Sequence, residues 1–198
     1  MDDGDYDRHF RLLICGGSGT GKSSLLSCFS FEGDGSEGTT VLRLDDVNIR
    51  IDVRKKDEWH REYVSEFDAV VVVFAADDFK SFEYAVEVVR SVQSCDFLPV
   101  VVIENKIDLI DNYNFSHKDV IENSIKQARI RLYRVSAKHD FNVMHPFAYI
   151  LEKLLRYCDE NANVQDRAFQ NCRLPSREGW VERPITNFRK KSANCCIM

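Results

Sequence analysis

Eight residues, Gly16-Gly17-Ser18-Gly19-Thr20-Gly21-Lys22-Ser23, restrict what this chain can become more than any other stretch. They follow a short apolar run, Leu12-Leu13-Ile14-Cys15, and lead into Ser24-Leu25-Leu26-Ser27-Cys28-Phe29, which reads as a helix. A strand, a glycine-rich loop ending in Lys-Ser and then a helix is the order that cradles phosphate groups. Gly16, Gly19 and Gly21 let the backbone turn successive N–H groups inward around an anion. The start of the helix adds partial positive charge at the same place. Lys22 supplies a full charge to terminal phosphates, and the Ser23 hydroxyl can ligate an accompanying Mg²⁺. Gly17, Ser18, Thr20 and Ser24 complete the expected cradle. The stretch implies a nucleoside-triphosphate pocket.

The rest of the chain alternates strands with helices. Strands are predicted over residues 10–15, 41–44, 47–53, 69–74, 99–103 and 131–135, the second and third joined by a tight turn at Asp45-Asp46. Residues 69–74, Ala-Val-Val-Val-Val-Phe, are apolar on both faces, as in a covered parallel strand. Helical spacing is read over 58–67, with Trp59, Tyr63 and Phe67 on one face, and over 80–94, with Phe82, Ala85, Val86 and Val89 inward. Two more helices are expected, one over 116–129 capped by Ser116 and one over 145–158. Residues 33–38 read as a surface loop. This order predicts an α/β fold of the P-loop NTPase kind, a doubly wound, mostly parallel six-stranded sheet with flanking helices. Such sheets place ligands at the carboxyl ends of their strands.

A chain of 198 residues accommodates one such domain and an appendage. The boundaries expected are a disordered N-terminus over 1–8, a nucleotide-binding domain over 9–158, and a flexible basic tail over 159–198. The longest apolar run, residues 69–76, is too short to span a bilayer, and the acidic N-terminus shows no secretory signal. Seven irregularly spaced cysteines suggest neither a disulfide framework nor a zinc site, and fit a reducing compartment. From Arg167 onward seven basic residues face only Glu178 and Glu182, so a tail of +5 hangs from a body of −10. An acidic body argues against nucleic acid as a partner, and a basic tail suits an anionic membrane surface.

Asn105-Lys106-Ile107-Asp108 narrows the nucleotide. It follows a buried strand, where the Asp108 carboxylate can accept from N1–H and the exocyclic amine of guanine. Adenine lacks those two donors and would leave a buried charge unpaired. Asn105 can tie neighbouring loops together, and the Lys106 stem can lie along the base. One strand later, Ser136-Ala137-Lys138 offers the Ala137 N–H to the guanine O6.

Taken together, these motifs resemble the Ras superfamily of small GTPases over roughly residues 8–158. The segment 74–83, from Phe74 to Glu83, is also similar to the family's strand-to-helix passage. The resemblance implies GTP and GDP as ligands, Mg²⁺ as cofactor, and exchange factors, activating proteins and effectors as partners. It implies a switch threonine that ligates Mg²⁺, for which Thr39 or Thr40 stands at about the right distance. It also implies an Asp-x-x-Gly-Gln segment, which here reads Asp52-Val53-Arg54-Lys55-Lys56. On this reading Ser23, Thr40 and Asp52 hold the metal, and Lys22, Asp52 and Lys56 take the catalytic positions. Lys55 replaces the glycine and Lys56 the glutamine that would orient the attacking water. A protonated lysine cannot accept a hydrogen bond from that water, so intrinsic hydrolysis is expected to be slow. The stretch between Thr40 and Asp52 is also about ten residues shorter than the family pattern implies.

The chain finishes Arg189-Lys190-Lys191-Ser192-Ala193-Asn194-Cys195-Cys196-Ile197-Met198. Cys195, fourth from the end, matches the prenylation pattern, and the basic triplet would supply a second membrane signal. The double cysteine, Cys195-Cys196, also resembles tails of the Rab branch, where both thiols carry lipid. The expectation is a lipid-anchored GTP/GDP switch on the cytoplasmic face of a membrane. The alternatives are a hydrolysis-deficient GTP-binding scaffold and, less in keeping with Asp108, an ATP-using P-loop kinase.

Overall fold

Seven consecutive residues, Ala69–Ala75, are wholly buried, so this strand must be covered on both faces. The computed structural model describes residues 6–29, 37–95, 98–110, 117–161 and 188–190, and puts that strand, β4, inside one sheet. The other strands are β1 (Arg8–Cys15), β2 (Glu37–Leu44), β3 (Val47–Lys56), β5 (Val100–Asn105), β6 (Arg131–Arg134) and β7 (Phe188–Lys190). Their order is β6-β5-β4-β1-β3-β2-β7. The first five are parallel, and β2 runs antiparallel to β3 through a turn with Asp45 at φ 52°. The six expected strands are all present. The short β7 extends the sheet, pairing Phe188, Arg189 and Lys190 with Leu44, Arg43 and Leu42.

Strand parity divides the interior into two cores. On one face, Leu12, Ile14, Ile49, Ile51 and Val53 pack with α1 (Lys22–Ser27) and α4 (Met144–Asn161), through Leu25, Leu26, Phe147 and Leu151. On the other, Leu13, Cys15, Val70, Val72 and Phe74 meet α2 (Phe79–Ser94) and α3 (Lys118–Ala128). The α2 side chains that turn inward are Phe82, Ala85, Val88, Val89 and Val92, whereas Val86 is only half-buried. Asp78 starts α2 by accepting from the Lys80 N–H.

Two local expectations are corrected. Residues 58–67 form only a short 3-10 helix, Arg61–Ser65, because the start of the segment is held by side-chain bonds to α2 and only its later residues bond to one another. The Trp59 N–H donates to the Tyr84 hydroxyl (3.1 Å) and its indole N–H to Ser91 Oγ (2.8 Å), while Phe67 is buried in the second core. Glu37 and Gly38, read as loop, already belong to β2. The Ser116 cap, the N-terminal five residues, the loop at 33–36 and the cysteines at 195 and 196 lie outside the described residues.

Candidate nucleotide-binding site

The phosphate loop rises from the end of β1 and closes on α1, as the sequence implies. Gly16 lies so close to β4 that a Cβ there would meet the Val73 carbonyl oxygen at 2.0 Å. Gly21 caps α1 in the left-handed region (φ 88°), and a Cβ on it would strike Asn105 Nδ2 at 2.2 Å. Lys22 is buried, and its ammonium donates to the carbonyls of Gly16 (2.6 Å) and Gly17 (2.7 Å) and pairs with Asp57 Oδ1 at 2.8 Å. Thr20 is buried and donates to the Gly17 carbonyl, while Ser18, Gly19, Ser23 and Ser24 face outward. Beneath the loop, burial pushes the Cys15 thiol up to about 12 despite the nearby Lys22 charge.

The metal side differs from expectation. Asp52 shares the face of His9 and Arg11, opposite α1, and sits level with Arg11 in the β1 ladder. His9, the Thr39 hydroxyl (2.9 Å) and Arg50 Nε (3.2 Å) satisfy its carboxylate. Partial burial raises its pKa, but these three hydrogen bonds outweigh that and hold it below the ordinary 3.8. Thr39 and Thr40 belong to the β2 ladder, Thr40 level with Ile51. Lys55, on the α1 face with Ile49, Ile51 and Val53, is the residue that reaches the loop. Its Nζ donates to Ser23 Oγ at 2.7 Å. Lys56 ends β3 level with Cys15. The correction is one of parity: Asp52 and Ser23 are on opposite sides of the sheet, so Ser23, Thr40 and Asp52 do not assemble. These residues do not fit the family's Mg²⁺ pattern.

The base side does assemble. Asn105, at the end of β5, is buried, and its Nδ2 donates to the Thr20 carbonyl at 3.0 Å. Its Oδ1 accepts from the Ala137 N–H at 3.1 Å, so one side chain joins the phosphate loop to the segment after β6. Ser136 Oγ donates to Asp108 Oδ1, and that bond, above all, holds the Asp108 pKa below the usual carboxylate value. His139 and the exposed Lys138 add favourable charge beside Asp108. Lys106 takes a left-handed backbone (φ 63°) and pairs with Asp77 at 3.4 Å. Asp57 and His139 are the site residues that motif reading missed. For Asp57 the available signal was its place one step beyond the end of β3.

A phosphate loop at the end of β1, with polar loops at the ends of β5 and β6 tied to it, defines an α/β nucleotide-binding protein of the P-loop class. The Ras family model matches residues 11–156, and the chain belongs to that family of small GTPases. Similar proteins include Ras-related protein Rab-7b of Mus musculus, 31% identical over 74% of this chain and 83% of its own length. Ras-like protein 1 of Saccharomyces cerevisiae is 27% identical over 94% of this chain, which spans only 65% of that relative's length. Ras-like protein of Laccaria bicolor is 26% identical over 96% of this chain and 94% of its own length.

Proposed function

We propose that this protein binds GTP and GDP and acts as a membrane-attached molecular switch with slow intrinsic hydrolysis. The observation that carries the reading is Asn105, whose amide bridges Thr20 in the phosphate loop and Ala137 in the base segment. That link makes phosphate and base recognition parts of one site. Asp108, oriented by Ser136, is placed to accept from the two guanine donors, and the Ala137 N–H belongs to the same edge. Lys22 changes partners when nucleotide arrives, from the Asp57 carboxylate to phosphate oxygens. Lys55 puts positive charge beside the loop at Ser23, and a protonated lysine cannot accept a hydrogen bond from an attacking water, which favours binding over turnover. Single-turnover hydrolysis by the purified protein tests this; a rate equal to that of ordinary small GTPases would sink it.

The membrane part of the proposal rests on Cys195 and the basic residues before it. Among the described residues no helix is long and apolar enough to cross a membrane. Mass spectrometry of the cellular protein identifies any lipid and its site. A second reading, a GTP-binding scaffold without hydrolysis, is favoured by the same Lys55 contact and predicts only GTP on extraction of bound nucleotide.

A further inference from the structure

We propose that the Lys55 ammonium does the work of the divalent cation beside the phosphates, so that this protein holds its nucleotide without Mg²⁺. The inference rests on guanine-nucleotide binding at the loop, as proposed above. The Ser23 hydroxyl, directly after Lys22, is where a P-loop protein holds its metal, and it already accepts a hydrogen bond from Lys55 Nζ at 2.7 Å. The carboxylate expected to oppose it, Asp52, is turned to the far face and occupied by His9, Thr39 and Arg50.

The placement of Lys55 is built into the sheet. It pairs in register with Ile14 on β1, two residues before the phosphate loop, and parity aims it at α1. Beside it, Asp57 puts a carboxylate on Lys22 at 2.8 Å, where phosphate oxygens would lie. A cation on Ser23 and an anion on Lys22 are the two charges that a metal–phosphate pair would bring. The Asp57 segment is braced by the Tyr84 hydroxyl, which donates to the Asp57 carbonyl at 3.2 Å. The Asp57 side chain is 62% exposed and lies past the end of β3, so it can yield to a phosphate while Lys55 stays on its strand. A tethered ammonium cannot be removed by a chelator.

The test is release of a fluorescent GDP analogue from the full chain, in excess Mg²⁺ and in excess EDTA. Equal rates, within about threefold, are expected; acceleration by EDTA of about tenfold or more overturns the inference. Lys55→Met keeps the apolar stem and removes the charge, and should weaken GDP by about tenfold or more in both buffers. Unchanged affinity in that variant also overturns it. Lys55→Asp supplies the missing carboxylate and should make release EDTA-sensitive; indifference to EDTA counts against the proposal. If the unaltered protein binds no guanine nucleotide in either buffer, the function reading falls and this inference with it. Tight but Mg²⁺-dependent binding removes this inference alone.

Discussion

Asn105 concentrates more of the site than any other single side chain. It is buried, spends its amide on Thr20 and Ala137, and lies where any side chain on Gly21 would have to go. Asn105→Ala would orphan the Thr20 carbonyl and the Ala137 N–H, and is expected to cost about 2 kcal/mol in urea unfolding. Nucleotide affinity should fall as well, since the two loops lose their link. Asp108→Asn is the sharper probe of base choice. An Asn oxygen still accepts from Ser136, so the loop persists, but an amide now meets the base where a carboxylate did. Competition binding should shift from guanine toward xanthine nucleotides, and an unaltered preference would count heavily against the base assignment. Because Asp108 is held below its ordinary pKa of 3.8, affinity should be flat through neutral pH and decline only as acid approaches that range.

Within an element, parity decides what a motif can mean, and β3 is the instructive case. The phosphate loop, the two base-side motifs and the buried strands were legible because each is local: a run of adjacent residues with one required chemistry. The metal side was not local. Asp52 resembles a motif aspartate, yet Ile49, Ile51 and Val53 mark the α1 face, and Asp52 has the opposite parity. The same alternation points Lys55 at Ser23 and could have been read from the sequence. The helix expected at 58–67 failed for a related reason, since bonds from Trp59 to Tyr84 and Ser91 are tertiary and leave no local trace. Asp52→Asn should therefore leave nucleotide affinity unchanged while altering acid stability. The folded carboxylate titrates below 3.8, so its contribution is full above that value and is lost as pH falls through the folded pKa. The substitution should flatten the acid limb of a pH-dependent melting curve, and an unaltered limb would discount the His9, Thr39 and Arg50 bonds.

At the scale of the whole molecule, the two cores were readable because valine-rich strands and amphipathic helices alternate without interruption. The seventh strand was not, since three residues of mixed character carry no periodicity. A chain ending at Asn161 keeps both cores and every residue of the site, so it should bind nucleotide as tightly as the full chain. It also uncovers the β2 edge at Leu42, Arg43 and Leu44, and sedimentation should show increased self-association.

The β7 pairing also sets a tether. Cys195 lies 34 residues beyond Asn161, a span that could reach about 120 Å at full stretch. Measured from Lys190, where the chain is pinned to β2, only five residues remain, or about 18 Å at most. A lipid on Cys195 would thus hold the molecule by one rim of its sheet, with β7 nearest the bilayer and β2 next to it. The loops that follow β5 and β6 hang from the opposite rim, five and six strand spacings from β7, or about 24 and 29 Å away. The base-recognition end would then be presented to the aqueous side, within reach of any protein that opens it to exchange nucleotide.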